Sequence, residues 1–311
     1  MQIVWLDGEL RDPDSAGLHW SDHGITVGDG VFETIKVVGA EPFALEPHLD
    51  RLERSAEGLG LPLPPRATIE TAISEAAQAW GDQTRAHGID GGSDGGIDGN
   101  SGGNTGEGSP GGNAAVGRLR LTVTGGPGPM GSERGATGPS LLVTVGEMTL
   151  RRDPTPVVIV PWTRNEAGAL AGLKTTSYGE NVVALAHARE RGASEAIFAN
   201  TRGELCEGTG TNVFVGIEGR LMTPPLRSGC LDGVTRRLVM EALADAGTPV
   251  EEVALPLRAL SGAEEAFLTS TGREVQPVSA VDGVALPASH GHLTQAAQQA
   301  WDTRYPPPTP F

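Results

Sequence analysis

The sequence predicts a mixed α/β fold of the α+β type, divided into two domains. Three observations lead there. Short runs of alternating apolar residues and longer stripes of helical period are interleaved in both halves of the chain. The length, 311 residues, suits two domains of ordinary size. A polar stretch, RRDPTP from Arg151, separates two apolar runs and sets the expected boundary, 1–148 and 149–311.

The elements follow in order. QIVWL opens as a strand and turns at Asp7 and Gly8. ITVGDGVFETIKVVG reads as a strand pair, because glycines give way to alternating apolar residues. Leu45, Leu49, Leu52, Ala56 and Leu59 form a helical stripe with Asp50, Arg51, Glu53 and Arg54 off it, so a helix covers 45–59. A second helix is expected from about Thr68 to Trp80. Between residues 86 and 117 the chain is mostly Gly, Asp, Asn and Ser. Such a stretch cannot offset its chain entropy by burial, so it is expected as a flexible insertion in a surface loop. Its glycines do not read as a phosphate loop, since no strand leads in and no helix follows. RLRLTVTGG and SLLVTVGEM restore order as two strands.

The second domain opens on the strand VVIVP, followed by LKTTSYGENV and a helix NVVALAHARERG closed by Gly192. A strand EAIFAN, a turn TRGELCEGTGTN and strands NVFVGI and LMTPP come next. LDGVTRRLVMEALADAG is a helix with Val234, Leu238, Val239, Ala242 and Leu243 on one face. Strands EEAFLTSTG and VQPVSAVDG precede a helix near Leu293 to Arg304 and a Pro-rich tail.

A formal charge of −16 argues against nucleic acid or an anionic membrane surface as partner. It also requires any anion site to be built locally. Two cysteines, Cys206 and Cys230, in a chain of this size point to reduced thiols rather than a staple. No signal-peptide pattern opens MQIVWLDGELRDPD and no apolar run has the length of a membrane span, so a soluble cytoplasmic protein is expected.

Lysine is scarce: there are 21 arginines and 2 lysines, Lys36 and Lys174. Arginine stays protonated, whereas a partly desolvated lysine loses its proton and serves as nucleophile or base. Lys174, in LKTTSYGENV, is the candidate. Lys36, in TIKVV, reads as structural. Three places suit an anion: the helix start at Gly233, Val234 and Thr235, with its free N–H groups and a hydroxyl; Ser270 and Thr271, hydroxyl donors where a strand runs into a glycine; and Arg51 in HLDRL. Each alone also fits an ordinary cap, turn or solvated helix face.

The order of motifs says more. VGDGVFET, EPHLDRL, LKTTSYGENVVAL, CEGTGTNVFV, TPPLRSGCLDGVTR and FLTSTGREVQPV run from Val27 to Val278. In that order they resemble the class IV aminotransferases, the fold-type IV enzymes of pyridoxal 5'-phosphate (PLP). The resemblance implies a two-domain, D-amino acid aminotransferase-like fold and a homodimer with the site near the interface. It implies that Lys174 forms the internal aldimine and that Glu207 meets the pyridine nitrogen. It places Arg51, Val234, Thr235 and Thr271, with neighbouring Ser270, on the phosphate, and packs Leu231 against the ring. A carboxylate at the ring nitrogen keeps it protonated, so the ring accepts electrons from the substrate.

GDGVFET is more similar to the lyase and D-amino acid branch than to the branched-chain branch. The arginine of that branch's T-R-G stretch is replaced by glycine in TVTGGPG, leaving Arg118, Arg120 or Arg164 to meet the substrate carboxylate. The substrate is expected to be a small amino-acid-like anion. The expected activity is that of a 4-amino-4-deoxychorismate lyase, giving p-aminobenzoate and pyruvate. An amino acid transaminase, branched-chain or D-amino acid, is the alternative, and a non-catalytic PLP-binding protein the third reading.

Overall fold

The computed structural model describes residues 1–87 and 115–306; most of the expected insertion and the end of the Pro-rich tail lie outside the described residues. The first half contains β1 (Gln2–Leu6), β2 (Glu9–Arg11), α1 (His23–Thr26), β3 (Gly30–Val38), β4 (Glu41–Pro42), α2 (Leu45–Leu59), α3 (Arg66–Ala86), β5 (Val116–Thr124) and β6 (Ser140–Glu147). Its six strands form one antiparallel sheet, ordered β2-β1-β6-β5-β3-β4. Helices α2 and α3 cover one face, where Leu49, Leu52, Ile73 and Trp80 pack on Ile35, Leu119 and Leu121.

Strand β3 is two-sided, as period-2 geometry requires. Val31, Ile35 and Val37 enter the helix-side core. Phe32, Thr34 and Lys36 take the opposite face, and register pairs Thr34 with Arg120 and Lys36 with Arg118 of β5. Directly opposed residues share a face, so these side chains line up together. Glu33 is the exception, a fully buried carboxylate in the core register.

The second half contains β7 (Thr155–Arg164), α4 (Gly179–Arg189), β8 (Glu195–Asn200), β9 (Leu205–Gly208), β10 (Asn212–Ile217), β11 (Arg220–Thr223), α5 (Val234–Asp245), β12 (Glu251–Glu252), α6 (Arg258–Ser261), β13 (Glu265–Ser270), β14 (Glu274–Val281), β15 (Val284–Ala285) and α7 (His292–Arg304). A nine-stranded mixed sheet runs β12-β11-β10-β13-β14-β7-β8-β9, with β15 on β14. Helices α5 and α7 pack Val239, Leu243, Ala297 and Trp301 on Phe214 and Phe267. Helix α4 sets Ala184 and Ala188 against Val158, Val160 and Phe198. The first-half core draws on residues 3–145, and the clusters of the second half on 157–301.

Four expectations are corrected. ITVGDGVFETIKVVG holds one long strand rather than a pair: Ile25 and Thr26 lie in α1, where the Asp22 carboxylate caps the Gly24 N–H at 2.8 Å. Gly28, at φ +69°, then turns the chain into β3. The second helix is longer than Thr68 to Trp80, running Arg66–Ala86, because beyond Trp80 its buried face continues through Gly81 and Thr84, which do not read as apolar positions. TRGELCEGTGTN contains β9, whose four residues are too short to show alternation. The LMTPP strand ends at Thr223, since prolines 224 and 225 have no N–H for a ladder.

Candidate active site

Lys174, Arg51, Glu207, Leu231, Val234, Thr235, Ser270 and Thr271 all line one cavity of about 780 Å³. The fold brings together motifs that the sequence leaves far apart.

The segment carrying Lys174 lies along the start of β3. The Phe32 N–H donates to the Lys174 carbonyl at 3.0 Å and the Thr176 N–H to the Gly30 carbonyl at 2.8 Å. The Lys174 N–H donates to Ser55 Oγ of α2 at 3.1 Å. A Cβ at Gly30 would sit 2.9 Å from the Val123 carbonyl and 3.0 Å from Thr176 Oγ1, so this docking requires the glycine. The Lys174 amine lies 4.3 Å from the Phe32 ring centre, and Tyr178 meets that ring edge-on at 5.1 Å. Among the described residues no carboxylate lies within ion-pair reach of the amine. Burial, then the nearby guanidiniums of Arg51 and Arg120, push its pKa down to about 8, against the pull of Glu33 and Glu207. Burial pushes the Tyr178 phenol up to about 12.

Helix α2 presents His48, Arg51 and Ser55 on a stripe beside its core stripe. Arg51 grips Glu33 through two bonds, Nε to Oε1 at 2.8 Å and Nη2 to Oε2 at 2.6 Å. His48 Nδ1 lies 2.7 Å from the same Oε2. Burial alone would raise the Glu33 pKa, but the charge and hydrogen bonds of Arg51, with those of His48, bring it down to about 2. Arg51 Nη1 also donates to the Asp232 carbonyl at 3.0 Å, just before α5. A guanidinium has five N–H groups, so one on each terminal nitrogen remains for an anion.

Glu207, on β9, accepts the Leu231 N–H at 2.8 Å and stands 3.3 Å from Arg164 Nε. Burial raises its pKa, opposed by Arg164 and the Leu231 N–H. Arg164 also donates to Glu180 at 2.6 Å and Asn181 at 3.0 Å, so of the three candidate arginines it is the committed one. Arg118 and Arg120 line the cavity and make no ion pair among the described residues. The Arg120 guanidinium lies 3.8 Å from the Phe32 ring centre, beside Lys174.

The missing arginine of the T-R-G stretch has a steric cause. A Cβ at Gly125 would come 2.3 Å from Asp29 Oδ2, and Arg134 holds both oxygens of that carboxylate at 2.7 Å. A Cβ at Gly126, which sits at φ +71°, would overlap the Gly138 carbonyl.

Helix α5 begins at Val234 after Gly233, with no side-chain cap on its first-turn N–H groups. Gly233 has no room for a Cβ, which would meet Asn212 Oδ1 at 2.0 Å, and Asn212 Nδ2 in turn donates to the Leu231 carbonyl. Thr271 differs from expectation: its hydroxyl donates to the Thr34 carbonyl at 2.8 Å, tying this turn to β3. Phe32, Glu33 and His48 were not among the expected site residues. Glu33 carried a readable signal, a lone charge in the otherwise apolar register of Val31, Ile35 and Val37.

These groups fit PLP: a desolvated amine, an anchored carboxylate, and an uncapped helix start beside a clamped arginine. A family model described as amino-transferase class IV matches residues 30–281. A Mycobacterium tuberculosis protein named as a bifunctional aminodeoxychorismate lyase / D-amino acid transaminase is 29% identical over 309 residues, covering 92% of this chain and 93% of its own. The branched-chain-amino-acid aminotransferase of Pseudomonas aeruginosa is 27% identical over 304 residues, covering 96% and 91%. A solved Mycobacterium tuberculosis structure, described as a hypothetical aminotransferase in its PLP-bound form, superposes with a TM-score of 0.79 at 26% identity, covering 97% of this chain and 98% of that one. With the family's match extending over most of its length and a cavity furnished for PLP, the chain belongs to the class IV aminotransferases.

Proposed function

We propose that the protein is a PLP-dependent 4-amino-4-deoxychorismate lyase. The observation that carries this reading is the pair Arg118 and Arg120, both lining the cavity without acidic partners among the described residues, with Arg120 on the Phe32 ring beside Lys174. Two such guanidiniums in a chain of charge −16 suit a substrate with two carboxylates, and aminodeoxychorismate has two.

Bound PLP supplies an electron sink for the carbon that carries the substrate nitrogen. Lys174 holds the cofactor and then takes the proton from that carbon, a role its lowered pKa suits. Glu207, fixed by the Leu231 N–H, would meet the ring nitrogen of the bound cofactor, and Leu231 would pack on its ring. Arg51, Val234, Thr235 and Ser270 would hold the phosphate, with Thr271 offering its backbone N–H while its hydroxyl stays on the Thr34 carbonyl. Arg118 and Arg120 orient the two carboxylates. Phe32 and Tyr178 shield the amine from water. The bond to the enolpyruvyl oxygen breaks as the ring becomes aromatic. The substrate's atoms divide completely between p-aminobenzoate and pyruvate, so no second substrate is needed.

The second reading is an amino acid transaminase. It is favoured by the double name of the mycobacterial relative, and the arginine pair would admit a dicarboxylate keto acid as acceptor. The test is to incubate the protein with aminodeoxychorismate alone, and separately with amino acids plus 2-oxoglutarate or pyruvate. The lyase gives multiple turnovers without keto acid, with p-aminobenzoate and pyruvate in equal amounts. Inert aminodeoxychorismate, with amino acid consumption that requires a keto acid, overturns the lyase in favour of the transaminase.

On this reading residues 1–148 and 149–311 are two domains, and the protein is a cytoplasmic homodimer. Exposed Trp20, Met130, Val182 and Val183 offer apolar surface for a second copy, which light scattering would register as a doubled mass. Free, buried Cys206 and Cys230 suit a reducing compartment. Among the described residues no helix is long and apolar enough to cross a membrane.

A further inference from the structure

We infer that Lys36 and Glu274 are a positioning pair that sets the turn carrying Ser270 and Thr271, an inference that rests on the reading of that turn as a phosphate contact. Lys36 Nζ and Glu274 Oε1 are 2.6 Å apart, with both side chains about nine-tenths buried or more. They are 238 residues apart in sequence and join β3 of the first sheet to β14 of the second.

The pair stands at one end of a short rigid span. Glu274 opens β14 and pairs across the turn with Ser270, and the Arg273 N–H closes back onto the Ser270 carbonyl at 3.2 Å. Two residues from Lys36 on the same face of β3, the Thr34 carbonyl takes the Thr271 hydroxyl. The turn is therefore pinned to β3 at two successive points, once by a neutral hydrogen bond and once by an ion pair. Glu274 sits at φ +51°, in the left-handed region where glycine is easiest.

Both partners are themselves braced. The Lys36 amine lies 4.5 Å from the Phe43 ring centre, and Phe43 packs against Trp301 and Tyr305 at the end of α7. The second Glu274 oxygen faces Arg152 Nε at 3.8 Å, and Arg152 reaches Asp302 of α7 at 2.9 Å. Neither Lys36 nor Glu274 lines the cavity, so any effect on a ligand passes through the Ser270–Thr271 turn.

The test compares PLP with pyridoxal, which lacks the phosphate, by absorbance titration of the full-length protein. The variants are Glu274→Asp, which keeps the charge but shortens its reach, and the double Lys36→Gln/Glu274→Gln, which leaves no unpaired buried charge. In both, affinity for PLP is expected to fall about tenfold or more, the size of one charge-assisted hydrogen bond, while affinity for pyridoxal is unchanged. The ³¹P resonance of bound PLP is expected to move. Equal losses for both ligands, or an unchanged ratio and resonance, overturn the inference. If the double variant fails to fold, Glu274→Asp alone decides by the same two readouts. Wild-type protein that binds PLP no better than pyridoxal counts against the phosphate reading of Ser270 and Thr271 rather than against this pair.

Discussion

Lys174 and Lys36 each lie beside an aromatic ring, at 4.3 Å from Phe32 and 4.5 Å from Phe43. Their carboxylates separate them. Lys36 has Glu274 at 2.6 Å. Lys174 has two acids nearby, and both are engaged elsewhere: Glu33 by Arg51 and His48, Glu207 by the Leu231 N–H and Arg164. Burial is the largest influence on the amine, and the positive charge of Arg51, which holds Glu33, and of Arg120 offsets the pull of the two acids, so the amine gives up its proton more easily. The difference teaches that burial lowers a lysine's pKa when cations stand beside its neighbouring carboxylates, whereas a carboxylate in direct contact keeps the lysine as an ion pair.

The sharpest way to break the comparison is to remove the reactive lysine. Lys174→Ala is expected to lose all borohydride-trappable cofactor and to cut turnover by about 10⁴-fold, the upper range for a positioned base. Trapping of label on Lys36 in the wild type would reverse the assignment of the two lysines. Glu207→Gln is expected to retain PLP but lose roughly 10²–10³-fold in turnover, as for other electrostatic contacts made at the reacting centre. Near wild-type rates would remove Glu207 from the chemistry.

Glu33→Gln tests the occupied acid. It strands the Arg51 charge in a buried site and is expected to cost about 3 kcal/mol, read as a lower urea midpoint. The pH dependence has a definite sign. The folded pKa of Glu33, about 2, lies below its ordinary 4.5. Its stabilisation is therefore full above that ordinary value and lost as pH falls toward 2. That part of acid unfolding should vanish in Glu33→Gln, and an unchanged acid profile would show that the clamp does not stabilise the fold.

The smallest expected effect concerns Lys174 itself. With its pKa lowered to about 8, the neutral amine grows as pH rises toward that value and then saturates. Stopped-flow capture of PLP by apoprotein should accelerate about tenfold from pH 7, where about a tenth of the amine is neutral, to a plateau reached about one unit above the pKa. Acceleration continuing to pH 10 would mean that the amine keeps its ordinary basicity.

Much of this was legible in the sequence. The stripe Leu45–Leu59 gives α2 to the residue, because one apolar face packs on one sheet. All eight expected site residues line one cavity, since the motif order carried them. What escaped reading depends on contacts distant in sequence. Glu33 stood out as a charge in an apolar register, but its partners, His48 and Arg51, became visible only when α2 packed onto β3. Lys36 read as structural because its partner lies 238 residues away. The glycines at 125 and 126 showed a departure but not its cause, which is the Asp29–Arg134 clamp and the Gly138 carbonyl.

The two-sidedness of β3 has a consequence for how this chain tolerates length changes. Substitution at one position of Gly30–Val38 disturbs one face only. Deletion or insertion of a single residue reverses the phase of everything beyond it. Such a frameshift of side chains, made near Gly30, would send Val31 and Ile35 toward the cofactor cavity and drive Phe32, Thr34 and Lys36 into the helix-side core. Folding and cofactor capture would fail together. Laboratory evolution of this protein by random insertion and deletion should therefore recover survivors in connecting loops and none within these nine residues.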